Sequence, residues 1–283
     1  MIRSRLAGWM VRCATTGGLA VGVAALSGCV VYAGDSWSAT DHVRRTDSLE
    51  VDHVDAAPID VTGRNGTVEI VAEPSADRVS ITATVQAKTQ ERLDATTIYA
   101  ERDANGTLVL KAIFPDDKPE NGEGVAFRVL IPSANGVRAR TSNGSVTIVG
   151  LSGEADLTAS NGTIRVDSHD GPLTAKTSNA PIEASGVSGN ATLTTSNGRV
   201  VASGVGGTVS ITTSNAPVTA TLAHDTPLAL ITTTNGRIEL RVPASARANV
   251  SAATSNGQVS VLRNGETTRH GTSARLELNG GGS

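Results

Sequence analysis

Seven near-copies of one tetrapeptide recur through the second half of the chain: Thr141-Ser142-Asn143-Gly144, Ala159-Ser160-Asn161-Gly162, Thr177-Ser178-Asn179-Ala180, Thr195-Ser196-Asn197-Gly198, Thr213-Ser214-Asn215-Ala216, Thr233-Thr234-Asn235-Gly236 and Thr254-Ser255-Asn256-Gly257. Their asparagines fall 18, 18, 18, 18, 20 and 21 residues apart. A fixed period of this length marks a solenoid, in which each unit covers its neighbour's apolar face. Counted from each asparagine, positions −6, −4, +3 and +5 are apolar in every copy, from Val137, Ala139, Val146 and Ile148 to Val250, Ala252, Val259 and Val261. Spacing of two is the pattern of a strand with one face buried. Each coil should therefore contribute two short strands, giving an all-β fold: a β-solenoid (β-helix) of about seven coils of 18 to 21 residues.

The turn residues have a physical rationale. Asparagine tolerates a left-handed backbone and glycine takes positive φ without penalty, so Ser-Asn-Gly is expected to turn the chain there. Ala180-Pro181 and Ala216-Pro217 are expected to turn differently. Stacking would set the asparagines in one column at the ~4.8 Å strand spacing, where side-chain amides can bond along the axis. Aromatic residues make up only 2% of the chain, so the interior must be thin and aliphatic, and large and small residues alternate down the −6 column.

The flanks look like the caps a solenoid needs. Ile59, Val61, Asn65, Val68 and Ile70 fit the same template as an eighth copy. Strand-like stretches follow at 79–87, 97–102, 107–114 and 125–131, with Asn105-Gly106 as a hairpin signal and a short helix at 90–95. The expected organisation is a signal peptide over 1–28, a flexible tether over 29–47, an N-terminal β cap over 48–136 and repeats over 137–262. After them come a C-terminal strand at 275–278 and a disordered tail, within 263–283.

Arg3, Arg5 and Arg12 precede 22 uncharged residues that end at Asp35, the layout of a secretory signal peptide. The apolar run closes on Leu26-Ser27-Gly28-Cys29, which resembles the lipobox of bacterial lipoproteins. That resemblance implies cleavage before Cys29, lipidation of its sulfur (palmitate or a similar acyl chain), and anchoring in the cell membrane or outer membrane on the extracytoplasmic side. More than one acyl chain is needed, because a single one holds only marginally. A retained spanning helix is the alternative, since about 20 apolar residues cross a bilayer. Either way the remainder lies outside the cytoplasmic membrane, and no disulfide is expected in the mature lipoprotein, because Cys13 would leave with the signal and Cys29 would be blocked.

The Thr-Ser-Asn-Gly repeats, preceded by a strand-rich segment ending Val129-Leu130-Ile131-Pro132, resemble the bacterial "putative adhesin" family, a domain of unknown function. The likeness covers about residues 48–278. It implies a β-helical, exported or membrane-anchored protein, and it brings no catalytic residues with it.

With 24 basic against 27 acidic residues the chain has no electrostatic footprint for nucleic acid. Polysaccharide-cleaving β-helices need clustered carboxylates, often with aromatic platforms. Between Val137 and Leu262 there is no Phe, Tyr or Trp, and the acidic residues are scattered. Asp156 and Glu183 are the candidate catalysts of that alternative and read better as solvated strand residues. His169-Asp170 and His224-Asp225 are too far apart to share an ion and read as solvated turns, so neither metal nor cofactor is expected. One surface stands out: the outward positions −5 and −3 form a strip of Thr174, Lys176, Thr192, Thr194, Ser210, Thr212 and Thr232, interrupted by Leu230. Thr is also simply a good exposed strand residue. The expected function is a non-enzymatic envelope lipoprotein, adhesin-like or an envelope-stress accessory, that presents this strip to a surface protein or glycan. A passive structural spacer is the remaining alternative.

Overall fold

The computed structural model describes residues 42–278. Cys29, the signal segment and the glycine tail lie outside the described residues. The chain runs through β1 (Val43–Asp52), β2 (Ile59–Thr62), β3 (Asn65–Ala72), β4 (Arg78–Ala87), helix α1 (Gln90–Ala95), β5 (Thr97–Arg102), β6 (Leu108–Ile113) and β7 (Gly124–Ile131). The repeats follow as strand pairs: β8 (Asn135–Thr141) and β9 (Val146–Val149), β10 (Ser152–Ala159) and β11 (Ile164–His169), β12 (Leu173–Lys176) and β13 (Ile182–Val187), β14 (Ala191–Thr194) and β15 (Val200–Val205). They continue as β16 (Val209–Thr212) and β17 (Val218–Leu222), β18 (Leu228–Thr233) and β19 (Ile238–Val242), β20 (Ala248–Thr254) and β21 (Val259–Arg263), and end in β22 (Glu266–His270) and β23 (Ser273–Leu278).

Even and odd strands of the repeats segregate into two sheets, a β-solenoid as the period requires. Sheet A has the order β1-β4-β7-β3-β9-β11-β13-β15-β17-β19-β21-β22, and sheet B β5-β6-β2-β8-β10-β12-β14-β16-β18-β20-β23. Every pairing from β7 to β21 and from β6 to β20 is parallel. Antiparallel strands close both sheets at both ends: β4 and β1, β5, β22, and β23. The −6, −4, +3 and +5 side chains line the interior between the sheets, with Leu157, Ile164, Leu193 and Val200 fully buried. The two phenylalanines, Phe114 and Phe127, sit at the cap end.

The Asn65 segment does form a coil with β2 and β3, and its neighbours come from an unexpected order. The later pair β6 and β7 stacks on its outer side, and the chain then passes back so that β8 and β9 stack on the other. Two boundaries also need correcting. Strand β1 begins at Val43, inside the segment expected to be a flexible tether. Its inward Arg45 and Asp47 pair with each other at 2.8 Å, and Arg45 also donates to Leu93 O and Thr96 O at the end of α1, so polar residues fill positions where an apolar period would have been read. At the other end β22, not anticipated from its sequence, forms a hairpin with β21 ahead of the closing strand.

The turn chemistry differs from the expectation too. None of the seven repeat asparagines, nor Gly144, Gly162, Gly198, Gly236 or Gly257, has positive φ. What constrains several of these glycines is close approach: a Cβ on Gly162 would lie 1.6 Å from Gly144 O in the coil before, whereas Ala180 and Ala216 are accommodated at the same position of their own coils. Left-handed residues recur instead at position +7, at Gly150, Ser168, Gly186 and Gly204, with φ of 70°, 56°, 63° and 64°. Where the period lengthens to 20 and 21, turns at 223–227 and 243–247 replace that single left-handed residue.

A second, interior column was not anticipated. Thr141, Thr177, Thr195, Thr213, Thr233 and Thr254 turn inward and donate Oγ1 to the carbonyls of Gly66, Gly162, Ala180, Gly198, Ala216 and Gly236 in the preceding coil, at 2.8–3.5 Å. Each buried hydroxyl is thereby satisfied as its burial demands.

Candidate binding face

Two columns of side chains run the length of the solenoid, one at its edge and one on its face. At the edge, each repeat asparagine donates its side-chain amide to the one before: Asn161 to Asn143, Asn179 to Asn161, Asn215 to Asn197, Asn235 to Asn215 and Asn256 to Asn235 at 2.7 Å, and Asn197 to Asn179 at 2.8 Å. Asn143 donates likewise to Asn65 Oδ1, so the ladder has eight members. Its bonds are intramolecular, which makes this edge a structural spine.

The face is the outer side of sheet B. Parallel register places Thr174, Thr192, Ser210 and Leu230 opposite one another in one row. Lys176, Thr194, Thr212 and Thr232 form the next. Their neighbours along each strand are the buried −6 and −4 residues, so every one of these side chains points outward. Leu230 is 43% exposed.

The same rows continue past the sequence-derived strip into residues that were not assigned to it. The −5 row extends through Asp156 and Arg138 to Asp60, and the −3 row through Thr158, Arg140 and Thr62 to Lys111. Counting −5 and −3 from Asn65 and Asn143 would have found Asp60, Thr62, Arg138 and Arg140. Lys111 could not be found so, because β6 joins only through non-local pairing. Arg138 lies 3.9 Å from Asp60 and 3.5 Å from Asp156, and Arg140 lies 3.7 and 3.8 Å from the same two. At these lengths the contacts are ion pairs with little hydrogen bonding. Burial pushes the Asp60 carboxyl above its ordinary value, against the pull of Arg140 and Arg138. Lys111 Nζ stands 5.3 Å from the centre of the Tyr99 ring, a cation–π contact. Lys111 and Thr62 also wall an open depression of about 260 Å³ whose other sides include Arg64, Ile113, Phe114 and Val125.

The candidate catalytic carboxylates are not brought together. Asp156 is on sheet B, held between Arg138 and Arg140, whereas Glu183 is on sheet A, 2.8 Å from Arg165 and 3.6 Å from Arg199. Facing away from each other across the core, they cannot flank one glycosidic bond. His224 and Asp225 are exposed. His169, expected in a solvated turn, is instead 1% exposed: it follows left-handed Ser168 and occupies the interior corner column of Leu151 and Val187, with Nε2 2.8 Å from Gly153 O. Among the described residues no group of three His, Cys, Asp or Glu is placed to hold a metal ion, and no helix is long and apolar enough to cross a membrane.

Solved structures with a similar arrangement include a "putative adhesin" from Bacteroides fragilis NCTC 9343, 12% identical with a TM-score of 0.41. Another is a "putative lipid binding protein" from Parabacteroides distasonis ATCC 8503, 13% identical with a TM-score of 0.39. Each alignment covers 77% of this chain and 96% of the other. No protein-family model matches the sequence, and no curated protein does.

Proposed function

We propose that the chain is a non-enzymatic envelope protein, adhesin-like in kind, held to a membrane by a lipid on Cys29 and binding its partner with the outer face of sheet B. The observation that carries this reading is the register of that face: hydroxyl side chains from β12 to β18 stand outward in straight rows on a parallel sheet backed by a close-packed interior. Such a surface is rigid before it binds, which lowers the ordering cost of association. The separation of Asp156 from Glu183, each neutralised by arginines, favours binding over glycan cleavage.

Photo-crosslinking in cells tests it. A crosslinking residue placed at Thr192 or Thr212 should capture a defined partner, whereas one at Ser203 or Thr219 on the outer face of sheet A should not. Equal capture from both faces, or none from sheet B, overturns the assignment. Labelling with a fatty acid should mark the wild-type chain and spare Cys29→Ala; label on both would remove the lipid anchor from the account.

A further inference from the structure

The −3 row on sheet B reads, strand by strand from β6 to β18, Lys111, Thr62, Arg140, Thr158, Lys176, Thr194, Thr212, Thr232. Over its first five strands, cations occupy every second strand and threonines the two between. Two strand spacings are ~9.6 Å, comparable to the length of one disaccharide unit in an extended glycan. Within the −5 and −3 rows from β6 to β12, four cations (Lys111, Arg138, Arg140 and Lys176) stand against two carboxylates (Asp60 and Asp156). The carboxylates are confined to the −5 row, where Arg138 separates them. The −3 row is therefore a line of positive charges at a regular interval. Its guanidinium and ammonium groups keep donors for a ligand, because no Arg138 or Arg140 contact to Asp60 or Asp156 is shorter than 3.5 Å.

We propose that this row binds a linear acidic polysaccharide laid along the solenoid axis, with an acid group on alternate sugars meeting Lys111, Arg140 and Lys176 and the intervening sugar hydroxyls meeting Thr62 and Thr158. The inference rests on the assignment of sheet B as the binding face and names the partner of that face. A protein partner would have little use for a charge repeated at a fixed axial interval. A polymer with a chemical repeat does, since one geometry then serves every unit and the contacts add through linkage. The threonines beyond Lys176 extend the track for neutral parts of the chain.

The test uses the acylated protein in detergent and measures binding by calorimetry to three probes: hyaluronan oligosaccharides, which carry one carboxylate per disaccharide, neutral chito-oligosaccharides of equal length, and glycerophosphoglycerol, the water-soluble headgroup of phosphatidylglycerol. Hyaluronan should bind, weakening as salt rises. The double variant Lys111→Gln/Lys176→Gln should lose at least tenfold in affinity with an unchanged circular-dichroism spectrum, while Arg241→Gln on sheet A should not differ from wild type. Equal binding of the neutral oligosaccharide, binding of the lipid headgroup alone, or an undiminished affinity in the double variant overturns the proposal. Capture of a protein from Thr192 or Thr212 without hyaluronan binding sinks this inference and leaves the binding face standing. Neither capture nor binding sinks both.

Discussion

Asn197 sits mid-ladder, donating to Asn179 at 2.8 Å and accepting from Asn215 at 2.7 Å. Asn197→Ala removes both bonds. Each is worth about 0.5–1 kcal/mol net at an exposed site where water can substitute, so the loss should be about 1–2 kcal/mol. For a domain of this size that lowers Tm by about 2–8 °C. Asn256 at the end of the ladder makes one such bond, to Asn235, so Asn256→Ala should cost about half as much, roughly 0.5–1 kcal/mol. Asn197→Asp should be worse than Asn197→Ala above pH 5, because it replaces the donor with a carboxylate facing Asn179 Oδ1. Urea unfolding followed by far-UV circular dichroism measures all three against wild type. If the mid-ladder and terminal alanine variants were equally stable, or Asn197→Asp matched wild type at neutral pH, the column would be a by-product of stacking with no energetic role.

Four further outcomes follow from the geometry. Thr195→Val keeps the shape but strips the hydroxyl that bonds Ala180 O and Gly198 N, and should cost about 1–3 kcal/mol by leaving buried backbone groups unpaired; denaturant midpoints check it. Ser168→Gly relieves a left-handed non-glycine residue and should raise stability by about 0.5–1 kcal/mol in the same assay. Arg92 donates to buried Glu123 at 2.6 and 2.9 Å and holds its carboxyl at about 2, below its usual 4.5. A lowered folded value stabilises fully above about pH 4.5 and is lost as pH falls through about 2, so wild type should lose about 1–2 kcal/mol over that window, after allowance for solvent screening, and Glu123→Gln should not. Removing residues 264–278 uncovers β20 and β21, and size-exclusion chromatography should then show concentration-dependent assembly that the full chain lacks.

The period and its alternation were enough to foresee two parallel sheets, because a repeat that buries apolar residues at spacing two in every copy has few other ways to pack. The eighth copy at Asn65 and the helix at Gln90–Ala95 were legible for the same local reasons. What escaped depends on neighbours that sequence spacing does not name. The stacking of β6 and β7 outside β2 and β3 is a non-local choice, and it alone brings Lys111 into line with Arg140. The interior threonine column was hidden because Thr reads as a surface residue until its carbonyl partner in the coil before is known. Placing the left-handed residue at +7 needed coordinates, since Ser168 breaks the glycine pattern of Gly150, Gly186 and Gly204. His169 was misplaced for a related reason: its corner is a core position filled elsewhere by Leu151, Val187 and Val205, and one imidazole among aliphatics does not show as periodicity.

The asparagine ladder also has a direction, and the two ends of the molecule are finished differently because of it. At the cap end Asn65 adopts φ of 52°, its Oδ1 accepts from both Ser142 and Asn143, and its Nδ2 donates to Glu123 O at 2.7 Å. Glu123 in turn is gripped by Arg92 of α1, so the spine is tied into the cap and the Asn65 amide donor is already spent there, leaving none for another coil. At the far end no hydrogen bond among the described residues reaches Asn256 Oδ1, which leaves an acceptor suited to the amide of a further asparagine. Growth by stacking would therefore be favoured at that end alone, and there β22 and β23 lie antiparallel across both sheet edges. An antiparallel strand presents its backbone groups in a different spacing from a parallel one, so the next coil would find no matching ladder. Glu266 and Arg269 put charge on the exposed edge as well. A repeat that stacks this regularly stops growing only where its polar end is closed, which accounts for β22, a closing strand whose side chains stay largely exposed.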